Sequence, residues 1–166
     1  MIAAAPGLTA GLDLRARLAD LYCAYDNVLN DGELERWPEL FTETCIYRVI
    51  PRQNFEQGLP VSVIYCESRD MLADRVVALR ETALFAPRIA RRMTTGICLR
   101  AIDSEGLPLT ASFAVFQTTL DQPSELFLCG NCRDRVVEDA DGTLRFAERI
   151  FVYDSTIVPT SLVYPL

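Results

Sequence analysis

Near the start of the chain, apolar residues recur every three or four positions, which predicts an amphipathic helix over residues 14–29. The apolar positions of this helix are Leu14, Leu18, Leu21, Tyr22, Tyr25, Val28 and Leu29. The helix should end at residues 30–32, because Gly32 can adopt the left-handed conformation that other residues avoid. A second, short helical segment is predicted over residues 34–41, with Asn30 and Glu33 as its cap and Pro38 interrupting it.

The middle of the chain combines extended and helical patterns. A strand is predicted over residues 45–50, a loop over residues 51–60 and a further extended run over residues 61–66. A third helix should begin at Ser68, a good cap, with Asp70 in the first turn, where the helix dipole favours negative charge. The apolar face of this helix contains Leu72, Val76, Leu79 and Ala83.

After Pro87 the apolar positions alternate with a period of two, which is typical of strands. Four long strands are predicted, over residues 92–103, 109–120, 125–138 and 143–154. Strands of this length must bend, and Gly130 is a candidate position for a bulge or a kink. Three helices followed by antiparallel strands predict one α+β domain over residues 1–166, a cone in which the helices pack on one face of a strongly curved sheet.

The composition excludes several kinds of chemistry. The chain contains no histidine, and all 16 of its basic residues are arginine. Without histidine there is no Ser/His or Cys/His nucleophile pair, no histidine zinc site and no iron site of two histidines and one carboxylate. Without lysine there is no Schiff base and no P-loop. Any chemistry of this chain must therefore use carboxylates, tyrosine, arginine or cysteine, or depend on another chain.

The charge and the termini restrict partners and location. A net charge of −7 opposes binding to nucleic acid or to an anionic membrane surface, which both need clustered positive charge. The first residues carry no basic leader, and no apolar run is long enough to span a membrane. Six cysteines without a secretory leader indicate free thiols in a reducing compartment. We therefore expect a cytoplasmic protein.

Cys129 and Cys132 form the one C-x-x-C motif of the chain. A zinc site or an iron–sulfur cluster needs four ligands, and no second cysteine pair lies at a suitable spacing. In a regular strand the two side chains, three positions apart, would also point to opposite faces. We interpret them as buried structural thiols.

Carboxylates and tyrosines that face the cone are candidates for acid–base chemistry. The candidates are Tyr22, Tyr25, Asp26, Tyr47 and Asp74 with Arg75. None of them forms a specific spacing motif. The alternative interpretation is that the tyrosines are core rings with a polar tip and that Asp74 and Arg75 form a structural or interface ion pair.

Two further segments suggest contacts with another molecule. Arg88, Arg91 and Arg92 form a basic cluster, which fits an anion site or an acidic patch on a partner, or else a solvated loop. Residues 158–166 are apolar and uncharged, so this tail must pack against its own core or a neighbouring subunit. We expect the basic cluster and the tail to lie at subunit contacts.

Several segments resemble the small (beta) subunits of Rieske-type aromatic-ring-hydroxylating oxygenases. Residues 34–42 (LERWPELFT) and 45–49 (CIYRV) are similar to the start of these subunits. Residues 68–80 (SRDMLADRVVALR) are similar to their third helix, and residues 145–150 (RFAERI) through 154–156 (DST) to their last strand. The segments occur in the order of the family.

The resemblance implies the cone-shaped fold of nuclear transport factor 2 and a subunit with no catalytic centre of its own. It implies a partner, an iron-bearing alpha subunit, usually in an assembly of three beta and three alpha subunits. The Rieske [2Fe-2S] cluster and the mononuclear Fe(II) would lie on the alpha chains, and no catalytic, cofactor or metal residue is expected here. The absence of histidine agrees with that expectation. The resemblance is greatest to subunits acting on aromatic carboxylates such as salicylate or terephthalate.

The role expected for this chain is assembly, with bulky side chains filling the cone. The predicted core anchors are Trp37, Phe41, Tyr47, Phe113 and Phe116. The predicted interface residues are Asp74, Arg75, Arg88, Arg91, Arg92, Tyr164 and Leu166.

A second hypothesis uses the same fold for a different function. Stand-alone isomerases and hydrolases with a cone fold use buried Asp and Tyr side chains, and fold alone does not choose between a subunit and an enzyme. An open pocket with a buried carboxylate would favour the enzyme. A filled cone and a large self-associating surface would favour the subunit.

Overall fold

In the computed structural model, residues 6–81, 87–158 and 162–166 are described, with side chains from residue 11 onward. The helices are α1 (Pro6–Asn30), a 3₁₀ helix (Leu34–Leu40), α2 (Arg52–Glu56) and α3 (Arg69–Glu81). The strands are β1 (Phe41–Pro51), β2 (Ile64–Cys66), β3 (Arg88–Leu99), β4 (Leu107–Thr119), β5 (Glu125–Glu138) and β6 (Leu144–Tyr153).

Helix α1 buries the predicted apolar stripe, from Leu18 to Leu29, against the sheet. It begins eight residues before the predicted start, because the helix extends toward the N-terminus beyond Leu14, the first residue of the stripe that packs on the core. It ends at Asn30 as predicted, and Gly32 follows with φ +76°. The backbone N–H of Glu33 then donates to the carbonyl of Val28 at 2.9 Å, which satisfies an otherwise open helix-end acceptor.

The predicted Asn30 cap of the second helical segment is wrong. Glu33 occupies the cap position and makes no side-chain cap hydrogen bond. The Asn30 amide instead pairs with the backbone of β3: its Oδ1 accepts from the Arg92 N–H at 2.7 Å, and its Nδ2 donates to the Arg92 carbonyl at 3.0 Å. One amide thus satisfies both backbone groups of an edge-strand residue, which a helix cap would not do.

Helix α3 is confirmed close to its predicted place. Ser68 caps it, since its Oγ accepts from the Met71 N–H at 3.2 Å. Its buried side chains are Leu72, Val76 and Leu79; Ala83, predicted on the same face, lies outside the described residues. Within the segment predicted as a loop, Arg52–Glu56 form the short helix α2, which contacts β1 and β6.

The six strands form one sheet in the order β2-β1-β6-β5-β4-β3. All neighbouring pairs are antiparallel except β1 and β6, which are parallel. Strand β5 has the predicted bounds, whereas β3 begins and ends four residues before its predicted limits. The chain leaves β3 early because Asp103 turns back onto Gly106. Within the described residues, no helix combines the length and apolar character needed to cross a bilayer.

Extra residues in β5 and β6 curve the sheet around the helices. Phe127 of β5 has no partner on β4, and Ala147 of β6 has no partner on β5. Such bulges bend a strand. Gly130, the predicted bulge, instead stays in register with Phe113 and Tyr153. A Cβ there would lie 2.1 Å from a backbone oxygen of β6, so glycine is needed for a close approach of two strands.

Candidate functional site: the interior and the outer face of the cone

Aromatic rings fill the concave side of the sheet. Trp37, Phe41 and Tyr47 are completely buried, and Phe113 is 4% exposed. The ring centroids of Trp37 and Tyr47 lie 5.1 Å apart, edge to face, an arrangement that aromatic pairs favour. Phe116 does not join them: β4 buries its odd-numbered residues from 109 to 117, so Phe116 faces the other side of the sheet and is half-buried there.

Arg149 lies at the centre of this aromatic core. The extra residue in β6 shifts the phase of the strand, so that Arg149 and Phe146 both face the interior although they are three positions apart. The guanidinium carbon is 4.0 Å from the ring centroid of Tyr25 and 4.9 Å from that of Tyr22. Phe146 and Phe151 complete the enclosure, at 4.4 and 4.8 Å. The cation is therefore held by ring faces in place of water.

A carboxylate on β5 pairs with this cation. Arg149 Nη1 lies 3.0 Å from Asp134 Oδ2, and both side chains are completely buried. The same oxygen accepts the hydroxyl hydrogen of Tyr22 at 2.6 Å. Burial raises the pKa of Asp134, while Arg149 and Tyr22 oppose the rise. Burial is the largest single effect and lowers the pKa of Arg149, but Asp134, Cys132, Tyr25 and Tyr22 together outweigh it, so the net shift is upward and the cation keeps its proton.

The predicted acid–base candidates make structural hydrogen bonds. Tyr25 donates to the Leu166 carbonyl at 2.6 Å, and the Tyr47 hydroxyl accepts from the Leu166 N–H at 3.0 Å. Asp26 accepts from the N–H of Thr94 at 2.8 Å and from its hydroxyl at 3.0 Å. Burial raises the pKa of Tyr47 to about 12. A tyrosine of this kind stays protonated at neutral pH and is a poor general base.

The predicted pairing of Asp74 with Arg75 does not form. Neighbouring residues of a helix point about 100° apart. Asp74 is exposed, while Arg75 is half-buried and donates to the carbonyl of Val163.

Sequence reasoning missed both members of the buried ion pair. Asp134 is two positions from Cys132 and two from Val136, both buried residues of β5, so the alternation along this strand indicates that Asp134 faces the interior. Arg149 gave no such signal, because its inward position depends on the bulge at Ala147. A bulge depends on the pairing of two strands, and neither strand shows it alone.

Two of the predicted interface residues lie inside the chain. Arg92 is 6% exposed, and its Nε and Nη2 donate to the Pro165 carbonyl at 3.0 and 2.7 Å. Leu166 is 2% exposed and belongs to the core. Both predictions as contact residues are therefore wrong, because the end of the tail packs on its own core. Residues 159–161 of that tail lie outside the described part of the chain.

The other predicted interface residues lie nearer the surface. Arg91 is exposed, and its Nη1 is 4.0 Å from an Asp31 carboxylate oxygen. Tyr164 and Arg88 are half-buried beside a cavity of about 290 Å³ between β3, the end of α1 and the tail. Neither Asp134 nor Tyr22 is among the residues that line this cavity. The cavity therefore gives no access to the buried ion pair.

The cysteines do not form a ligand set. All six are free thiols. Cys132 is buried on the inner face of β5, where burial raises its pKa, whereas Cys129 faces outward. Among the described residues, no three His, Cys, Asp or Glu side chains come together as a metal site would require. The donors of this chain do not fit a Rieske cluster, which takes two histidine ligands.

The chain is similar to known proteins over nearly its whole length. It is 36% identical over 142 residues to the small subunit of anthranilate 1,2-dioxygenase from Burkholderia cepacia, covering 86% of this chain and 88% of that protein. It is 31% identical over 150 residues to subunit beta 1 of the terminal oxygenase component of terephthalate 1,2-dioxygenase from Comamonas sp, covering 90% and 97%. No family model matches the chain.

Comparison with solved structures confirms the predicted cone. A chain from Novosphingobium aromaticivorans, assigned as the beta subunit of an aromatic-ring-hydroxylating dioxygenase, superposes with a TM-score of 0.85 at 34% identity. The match covers 95% of this chain and 99% of that one. The α+β prediction, with helices on the concave face of a curved sheet, is confirmed.

Proposed function

The chain belongs to the family of small (beta) subunits of aromatic-ring-hydroxylating dioxygenases, and we propose that it supports a larger, iron-bearing alpha subunit in such an oxygenase. It is a subunit of an oxidoreductase and carries no catalytic centre of its own. Its contribution is to stabilise and position the alpha chain that hydroxylates the substrate.

The observation that carries this proposal is that the acid–base candidates inside the cone are buried, already paired and not reached by the cavity beside β3. An enzyme of the stand-alone type needs an open pocket around a group that can exchange protons. Here rings surround the ion pair, the carboxylate of Asp134 is paired with Arg149, and burial keeps Tyr22 and Tyr25 protonated by raising their pKa. A well-packed interior suits an assembly subunit, because a rigid subunit presents a fixed surface to the alpha chain.

Cofactors and substrate belong to the complex in this proposal. The Rieske [2Fe-2S] cluster and the mononuclear Fe(II) are placed on the alpha subunit, since this chain lacks histidine. Three beta and three alpha subunits form the assembly. Two relatives are subunits of enzymes named for anthranilate and terephthalate, both aromatic carboxylates, and this supports an aromatic carboxylate as the substrate class.

The remaining parts of the proposal concern the chain itself. Residues 1–166 act as one domain, since the five long strands share one core with α1, the 3₁₀ helix and α3. Asp74, Arg75, Arg88, Arg91 and Tyr164 remain interface candidates, because none of them is fully buried. Six free thiols support a reducing compartment, and we place the protein in the cytoplasm.

The test is expression of this chain with an alpha chain from a neighbouring gene of its source genome, and of each chain alone. We expect a tagged form of this chain to be metal-free and colourless alone, and to co-purify with the alpha chain as a brown, iron-containing complex. Turnover of an aromatic carboxylate should require both chains. A chain that captures no alpha subunit, or one that transforms substrate alone, would contradict the proposal.

A further inference from the structure

The cavity of about 290 Å³ beside β3 lies between that strand, the end of α1 and the tail. Apolar side chains form much of its wall, among them the buried Leu29, Val115 and Phe127. Its rim reaches solvent, since Gly32 and Ile89 line it and are exposed. An apolar cavity of about 150 Å³ is enough to hold a benzene molecule, so this one has room for a single ring with a substituent.

The polar part of the lining is positive, although the chain as a whole has a net charge of −7. The charged residues that line the cavity are Arg80, Arg88, Arg92 and Asp31. Arg80 is engaged by Glu35, and Asp31 is exposed at the rim, where it lies 4.0 Å from Arg91 Nη1. Arg88 and Arg92 therefore dominate the charge inside the cavity, and their field favours an anionic ligand.

Arg92 is a buried cation whose partners are carbonyl groups. It donates to the carbonyls of Pro165 and Leu29, and in the described part of the chain it forms no ion pair with a carboxylate. Arg149 is also buried, but Asp134 balances its charge at 3.0 Å. Burial is the largest effect on the pKa of Arg92 and lowers it. Buried charges are almost always paired, so an anion in the cavity would supply the partner that Arg92 lacks.

The guanidinium of Arg92 retains donors for such a ligand. A guanidinium has five N–H groups, and the three contacts with the tail and α1 use three of them. Because residues of a strand alternate between the two faces of the sheet, Arg88, Ala90 and Arg92 all face the cavity from β3. The small side chain of Ala90 leaves space between the two arginines.

A second buried polar side chain borders this space. Gln117 on β4 is 5% exposed and pairs in register with Ala90. Its Oε1 accepts from Arg88 Nη1 at 3.4 Å, while its Nε2 makes no hydrogen bond to the described residues and remains a donor. Arg88, Arg92 and Gln117 thus border one cavity with donors, which is the arrangement that recognises a carboxylate.

We propose that this cavity binds a small organic carboxylate whose apolar body is about the size of one six-membered ring. The apolar wall receives the ring, and the carboxylate accepts from Arg88, Arg92 and Gln117. An uncharged ring would leave Arg92 without an opposite charge, and an inorganic anion would leave the apolar wall without contacts. Both parts of the ligand are therefore needed.

The site binds its ligand without transforming it. The buried Asp134 and Tyr22 do not line the cavity, so the ligand does not contact the acid–base candidates of the interior. This inference goes beyond the proposed function, because it concerns this chain alone and requires no alpha subunit.

The test is isothermal titration calorimetry of the full chain with benzoate as the probe. Benzyl alcohol retains the ring without the charge, and acetate retains the carboxylate without the ring. We expect one benzoate to bind per chain with a Kd below about 1 mM, and each of the other two probes to bind at least about tenfold more weakly.

Three variants locate the binding. Arg88→Met with Gln117→Leu removes donors while keeping side-chain volume, and should weaken benzoate binding by at least about tenfold. Ala90→Phe fills the cavity without removing a polar group and should abolish binding. Arg91→Met is the matched control: it removes one arginine from the same strand, but this residue faces outward and does not line the cavity, so the affinity should not change.

Far-ultraviolet circular dichroism of each variant establishes that it is folded, and the donor variant decides the outcome if Ala90→Phe does not fold. The inference is overturned if millimolar benzoate gives no saturable binding, if benzyl alcohol or acetate binds as tightly as benzoate, or if the cavity variants bind as tightly as Arg91→Met. Capture of the alpha chain is measured separately without benzoate. Capture by a chain that binds no benzoate refutes this inference and leaves the proposed function standing.

Discussion

Arg91 and Arg92 are neighbours in the sequence, yet they lie on opposite faces of the sheet and have opposite surroundings. Arg92 faces the core, is 6% exposed and donates to carbonyls of the tail and of α1. Arg91 faces outward on β3, and the carboxylate of Asp31 lies 4.0 Å from its Nη1. Asp134 and Arg133 repeat the contrast on β5: Asp134 is paired inside, and Arg133 is exposed outside.

This contrast shows how one sheet serves two purposes. On the inner face, Arg92, Asp134 and Arg149 each have a partner from the same chain. On the outer face, Arg91 has only a long ion pair with Asp31, and apolar side chains such as Ile89 and Met93 are strongly exposed, as at an interface. The strand alternation alone separates the two sets, so substitutions at adjacent positions should have very different effects.

The largest effect is expected for Arg149→Met. The change removes the cation and leaves the Asp134 carboxylate buried without its partner, so we expect the free energy of unfolding to fall by about 3–5 kcal/mol. Arg133→Met, on the outer face of the adjacent strand, should change it by less than about 0.5 kcal/mol. Urea unfolding of the dilute chain, followed by circular dichroism, measures both. Equal losses for the two variants would contradict the contrast between the faces.

A double variant sharpens the same prediction. If the loss comes from an unpaired buried charge, Arg149→Met combined with Asp134→Leu should be more stable than Arg149→Met alone, because no charge is then left in the core. The Tyr22 hydroxyl loses its acceptor in that variant, so recovery should be incomplete. A double variant that is less stable than the single one would mean that packing, and not charge, is what Arg149 contributes.

A smaller effect is expected for Arg92→Met. The carbonyls of Pro165 and Leu29 lose their donors, and we expect the dilute chain to lose about 1–3 kcal/mol of stability. Arg91→Met should leave the stability of the dilute chain within about 0.5 kcal/mol of the wild type, while weakening its self-association. Unfolding curves at low concentration and sedimentation at high concentration separate the two effects. Loss of stability by Arg91→Met in the dilute chain would place that residue in the fold and not in a contact.

The sequence predicts most of the fold because its signals are local. The α1 stripe, the Ser68 cap and the alternation in β5 depend on residues that are near one another in the chain. The parallel pairing of β1 with β6 places Tyr47 opposite Arg149, about a hundred residues away in the sequence. No local pattern specifies this pairing.

The interior site was harder to predict for the same reason. The tyrosines could be placed on the core face of α1 from spacing alone, but the ion pair that determines their state could not, since the bulge at Ala147 turns Arg149 inward. The sequence suggests an interface for Arg92 and Leu166, because a basic cluster and an apolar tail often bind partners. In the structure, Arg92 donates to the Pro165 carbonyl and the Leu166 N–H donates to the Tyr47 hydroxyl, all within one chain.

The last effect arises only at alkaline pH and concerns the buried tyrosines. Burial raises the pKa of Tyr47 to about 12, and those of Tyr22 and Tyr25 also lie above the usual 10. A group whose pKa is higher in the folded state binds its proton more tightly there. Its contribution is therefore complete below pH 10 and is lost as the pH rises from about 10 toward 12, by up to about 1.4 kcal/mol per pH unit for each tyrosine.

Tyrosinate absorbance near 295 nm, recorded with circular dichroism during an alkaline titration, measures this prediction. Tyr65 is 48% exposed on β2 and should ionise while the chain is still folded. The signals of Tyr22, Tyr25 and Tyr47 should appear only as the chain unfolds, because solvent and hydroxide do not reach the closed interior. Tyr47→Phe should reduce the late step and leave the early one unchanged. If all the tyrosines ionised in one early step without unfolding, the interior would be open to solvent, and the contrast between a closed inner face and an available outer face would fail.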